Sequence, residues 1–178
     1  MNAESQQEAL EIFRGGRAQP KTGFLPKDLK AADTDEEASC RAYGFLRGLR
    51  EKAHMLELRF KNGNTEALAY HLLHSMRFNP SYGVLLRFGG DITTMVMISG
   101  SNLDVVLKDM EVNLTDRGIQ RQRITWVREM DEDELRKLKP SDPSIDAIAV
   151  GECESEETVQ TWMGQNAKGF ARNSVPVL

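Results

Sequence analysis

Cysteine is scarce in this 178-residue chain. Cys40 and Cys153 are far apart and lack metal-ligand spacing, so with eight methionines beside them they read as reduced thiols rather than a disulfide frame. Long apolar runs are missing too: none approaches the ~20 residues a membrane helix needs. The first residues carry Glu4 and Glu8 without an apolar core, which is unlike a secretory signal. The expected location is therefore the cytoplasm, with no membrane partner. The apolar fraction of 40% fits a modest core flanked by polar segments. Catalytic signatures are also lacking. No serine sits in a Gly-x-Ser-x-Gly elbow, and the pairs Gly15-Gly16 and Gly89-Gly90 lack a phosphate-binding frame. The first pair reads as a helix stop and the second as a hairpin turn.

Histidine is limited to His54, His71 and His74. The last two would share a face on a helix but point to opposite sides on a strand, which the surrounding pattern favours. A metal site needs three or four ligands, and no carboxylate stands at ligand spacing to this pair. Cys40 reads as a packed, inert thiol, because a reactive one needs a nearby positive charge or a helix N-terminus. We therefore expect no catalytic residue, no metal and no cofactor: a non-enzymatic protein.

What is present is organised around Met55 to Gly100. Leu56, Leu58 and Phe60 alternate with Glu57, Arg59 and Lys61, which is the period of a half-buried antiparallel strand. Asn62-Gly63-Asn64 is a tight hairpin turn, and Thr65 to Tyr70 is the return strand. His71 to Phe78 is less regular, with Leu72, His74, Met76 and Phe78 as one possible face. Asn79 to Gly83 is a second turn, since proline fixes φ and glycine supplies the left-handed position. Val84 to Phe88 and Ile92 to Ser99 are further strands around a turn at Gly89 to Asp91. Strands at such short, regular spacing indicate a meander or a small barrel.

Helices are expected on both sides. Ala3 to Arg14 reads as a short helix stopped by Gly15-Gly16, and Arg17 to Ala32 as a linker. Asp33 to His54 carries the strongest helical pattern. Thr34 with Glu37 fits a capping box, and Ala38, Ala42, Phe45, Leu46, Leu49 and Ala53 form one stripe, although Gly44 and Gly48 each oppose it by about 1 kcal/mol. A second helix is expected from Ser101, through Leu103, Val106, Leu107, Met110 and Leu114, with Gly118 at its C-terminal cap. Arg123 to Arg128 then returns to strand. Asp131 to Leu138 is a short charged helix ended by Pro140 and Pro143. Ile145 to Val150 is a weak apolar stretch, and Val159, Trp162 and Met163 suggest a further amphipathic turn or two. Ala171 to Leu178 is an expected frayed end. The expected fold is α+β: an antiparallel sheet or partly open small barrel, an N-terminal amphipathic helix, and a second helix before the last strand. The expected organisation is a short helix and linker over 1–32, a core module over 33–130, and an acidic, partly ordered extension over 131–178.

The stretch from Tyr43 to Asn64, with Gly100-Ser-Asn-Leu103 and Arg123-Ile-Thr-Trp-Val-Arg-Glu129, resembles a segment of short, uncharacterised bacterial proteins of unknown function. The resemblance covers roughly Tyr43 to Glu129, about half of the chain. It implies a self-contained module and carries over no catalytic residue.

The net charge of −4 conceals an asymmetry. Glu129 to Glu157 holds eleven acidic and three basic residues, a balance of −8, whereas Arg41 to Arg128 holds thirteen basic and eight acidic, a balance of +5. A solvated charged surface is the plainer meaning of such runs, and a body that binds an anionic partner is the sharper one. Arg59, Lys61, Arg77, Tyr82, Arg87, Arg121 and Arg123 form the candidate binding face. Two functions fit. The first is a binding or adaptor module acting through protein contacts, self-association at a strand edge included. The second is a small-barrel RNA-binding protein screened by its own acidic tail, with bases stacking on exposed aromatics.

Overall fold

The computed structural model describes residues 37–47, 51–106 and 111–170. Among them are nine strands: β1 (Glu37–Ser39), β2 (Tyr43–Leu46), β3 (Met55–Arg59), β4 (Thr65–Ala69), β5 (Leu73–Asn79), β6 (Gly83–Phe88), β7 (Thr93–Ser101), β8 (Ile124–Arg128) and β9 (Ser144–Cys153). Two α-helices join them, α1 (Glu132–Arg136) and α2 (Glu156–Asn166). The molecule is a sheet-rich α+β protein.

The strands form two open sheets. The first has the order β1-β2-β8-β3-β4 and the second β5-β6-β7-β9. All pairs are antiparallel except β3 with β8. The hairpin expected at Asn62 to Asn64 joins β3 to β4, and Gly63 takes the positive φ (84°) that the turn requires. One apolar cluster unites the sheets: Tyr43, Phe45, Leu56, Leu58, Ile124 and Val127 from the first meet Val84, Leu86, Phe88, Val96, Ile98 and Ile148 from the second. Burial pushes the Tyr70 hydroxyl up in pKa, and that hydroxyl donates to the Ile124 carbonyl at 2.9 Å.

Two expected helices are corrected. Within Asp33 to His54, residues 37–39 and 43–46 are β1 and β2, paired as a short hairpin with Ala38 opposite Phe45. Ala42 to Phe45 are four consecutive buried residues, whereas an amphipathic helix buries only a stripe. Gly44 explains how: it lies opposite Trp126 of β8, and a Cβ there would collide with the indole. The helix from Ser101 to Leu114 is likewise absent from the described residues. Ser101 ends β7, and Asn102 and Glu111 hold positive φ of 57° and 51°, a conformation that cannot continue a right-handed helix. The Asn102 side chain instead donates to the carbonyls of Pro140 (2.8 Å) and Asp142 (3.0 Å). Gly118 leads into the 3-10 turn Ile119–Arg121 rather than capping a helix. The expected helix at Ala3 to Arg14, the linker at Arg17 to Ala32 and the end from Ala171 lie outside the described residues.

Residues 130–170 are built into the fold. β9 pairs with β7 from Thr93–Cys153 to Ser101–Ser144, so the weak apolar stretch at Ile145 to Val150 is an edge strand of the second sheet. Glu129 ties the sheets together: its Oε1 accepts the Ile148 N–H at 2.6 Å and its Oε2 the Lys61 N–H at 2.8 Å.

Candidate binding groove

Helix α2 starts with a strong local signal. Ser155 Oγ accepts the Thr158 N–H at 3.2 Å, and Thr158 Oγ1 accepts the Ser155 N–H at 3.0 Å. This reciprocal cap satisfies two otherwise free donors, and Glu156 and Glu157 suit the positive end of the helix dipole. Val159 and Met163 are the buried face of the helix. They pack with Leu85, Met95, Met97 and Cys153 in a second apolar cluster on the outer side of the second sheet. Trp162 lies on Gly151 of β9, where a Cβ would collide with the indole.

Strand register places Ser75, Arg87, Met95 and Gly151 in one row across that outer face, and Arg77, Leu85, Met97 and Ala149 in the next. Helix α2 packs on β9 and β7. A helix with its side chains is about 10 Å wide and strands are about 4.8 Å apart, so one helix covers two strands of four. Among the described residues the β5–β6 half, touched at β5 by the 3-10 turn Lys168–Phe170, keeps a groove of about 340 Å³ beside α2. One wall is His74, Ser75 and Arg77, the floor is Leu85, Arg87 and Met95, and the other wall is Glu156, Val159, Gln160 and Met163.

Its charges are unevenly matched. Arg87 Nη2 pairs with Glu156 Oε2 at 3.0 Å. Hydrogen bonds from Gln160, then from Arg87, hold the Glu156 carboxyl below its ordinary pKa. Arg77 reaches only the Phe170 carbonyl, at 3.4 Å, and among the described residues it has no carboxylate partner. Tyr82, 50% exposed, stands against Phe170 edge-on with ring centroids 6.5 Å apart.

The candidate face read from the sequence is thus divided. Arg77, Arg87 and Tyr82 gather on the second sheet, with Arg77 and Arg87 in the groove itself. Arg59 and Lys61 belong to the first sheet, beside a cavity of about 310 Å³ that Arg128, Glu129, Asp131 and Glu134 also line. Each cation there is engaged. Arg59 pairs with Glu57 at 2.7 Å and lies 4.4 Å over the Trp126 ring, Lys61 Nζ donates to the Asp146 carbonyl at 2.7 Å, and Arg128 binds both oxygens of Glu134 at 2.9 Å. Arg121 is exposed on its 3-10 turn. Arg123 is 6% exposed and donates to the carbonyls of Leu46 (3.0 Å) and Arg47 (2.8 Å), which makes it a structural cation.

His71 lies in the 3-10 turn Tyr70–Leu72 and His74 on β5. Among the described residues no group of three or more His, Cys, Asp or Glu could hold a metal ion. Cys40 sits in the turn after β1 with its thiol pKa pushed up by burial, and Cys153 is buried under α2. Glu156 and Gln160 escaped the sequence reading as groove residues; only the amphipathic turn at Val159 to Met163 pointed to them. No helix among the described residues is long and apolar enough to cross a membrane. No family model, curated protein or solved structure matches the chain.

Proposed function

We propose that this chain is a non-enzymatic binding module of the cytoplasm, an adaptor that holds a partner protein in the groove between β5, β6 and α2. The observation that carries the reading is the half-covered outer face of the second sheet. There an apolar floor of Leu85 and Met95 is flanked by two arginines, only one of which has a carboxylate among the described residues. A site of a few hundred Å³ with an apolar base and a few convergent polar groups suits recognition. Its chemistry is ion pairing and apolar contact.

Amide hydrogen exchange on the full-length chain, alone and with a protein it retains from a lysate, tests this. The expected footprint is slowed exchange in β5, β6 and α2. Slowed exchange confined to the β3–β4 hairpin and α1, or a retained fraction lost on ribonuclease treatment, would overturn it.

A further inference from the structure

Glu156 already shows what the groove accepts. Its carboxylate lies on Arg87, while Arg77 beside it has no acid among the described residues. In the β5–β6 register Arg77 stands opposite Leu85 and Ser75 opposite Arg87. The two arginines are therefore diagonal neighbours on one face, two residues along and one strand across. At ~3.4 Å per residue and ~4.8 Å between strands, their Cα atoms are roughly 8 Å apart. Side chains at i and i+2 of an extended peptide lie on one side and about 7 Å apart, whereas i, i+4 neighbours on a helix are about 5–6 Å apart.

We infer that the groove takes an extended acidic segment of the partner, with two carboxylates two residues apart, one on Arg77 and the other on Arg87 in place of Glu156. The inference rests on the reading of this groove as a protein-binding site. Leu85, on the same face, is already buried beneath α2 at 4% exposure, so the two arginines carry the contact with the segment. A long polyanion is a poorer occupant, because Glu154 and Glu157 are exposed near the start of α2 and repel phosphates beyond the first two. Glu156 thereby acts as a built-in competitor that a genuine ligand displaces.

The test is fluorescence anisotropy with the full-length chain and a fluorescein-labelled peptide of alternating glutamate and valine. The same peptide with glutamine for glutamate, and a single-stranded oligouridylate, serve as comparisons. Arg77→Ala is expected to weaken the acidic peptide on the order of tenfold. Glu156→Gln should tighten it several-fold, and Gln160→Trp, which fills the groove from an exposed helix position, should abolish binding. Equal binding of the glutamine peptide, weaker binding by Glu156→Gln, or tighter binding of the oligouridylate through Arg77 would overturn the inference. The two levels separate in lysate capture. A partner lost with Gln160→Trp but retained by Arg77→Ala and Glu156→Gln leaves the groove reading standing and removes the acidic ligand. A partner retained by Gln160→Trp removes both.

Discussion

Trp126 of β8 packs its indole against Gly44 of β2, its direct partner across the strands, and Trp162 of α2 packs against Gly151 of β9 through the same ring atoms. Each indole uses the missing side chain of a glycine to approach the sheet. The first contact lets β2 be buried on both faces, and the second seats α2 over β9.

Gly44→Ala and Gly151→Ala are each expected to destabilise the protein by about 1–3 kcal/mol, the usual cost of forcing atoms into a packed site. Gly164 is the contrast. It lies within α2 with nothing near its absent Cβ and no positive φ, so Gly164→Ala should stabilise by about 0.5–1 kcal/mol. Urea midpoints of the three variants check the opposite signs.

Glu129 and Arg123 are polar groups with structural work to do. Glu129→Ala leaves the Lys61 and Ile148 N–H groups without an acceptor, and each such loss costs about 1–3 kcal/mol when the donor is shielded from water. Arg123→Ala removes both donors to Leu46 and Arg47 and should cost a similar amount. Neither substitution should change the affinity of the groove for the acidic peptide once the variants are compared well below their melting points. A drop in peptide affinity for Arg123→Ala matching that of Arg77→Ala would return Arg123 to the binding face.

Acid should weaken the fold in a defined direction. Hydrogen bonds from Arg128 lower the pKa of Glu134, and a hydrogen bond from the Asn113 side chain lowers that of Asp116. A carboxylate whose folded-state pKa is depressed contributes its stability in full above its unfolded value, near pH 4. That contribution is lost as the pH falls through the lower folded-state value. Urea midpoints should therefore fall on acidification below about pH 4. Arg128→Ala, which removes the Glu134 share, should show a shallower fall. A midpoint that held steady or rose on acidification would contradict this.

The centre of the chain was legible because its rules are local. Alternation from Leu56 to Lys61, the Asn-Gly turn and the proline turn at Asn79 to Gly83 each lie within a few residues. The region of β1 and β2 was not, because the stripe from Ala38 to Ala53 has helical spacing, while its real partner, β8, lies some eighty residues away and is invisible to a local window. Gly44 and Gly48 were the dissenting signal. β9 read as weak for a different reason: at its end of the sheet one face packs on the shared core and the other lies under α2, so its residues do not alternate cleanly. At the site, the arginines and Tyr82 were visible as charge and ring. Which of them converge depends on the strand register and on where α2 lands. That is why Arg77 and Arg87 share a groove, Arg59 and Lys61 are engaged elsewhere, and Arg123 is buried.

The most direct measurement is capture from a lysate by full-length wild type, by Gln160→Trp and by Lys137→Trp, an exposed control at the end of α1 that does not line the groove. The account predicts one ribonuclease-resistant protein retained by wild type and by Lys137→Trp and lost with Gln160→Trp. The same protein retained equally by all three would contradict the claim that the half-covered face of the second sheet is the binding surface.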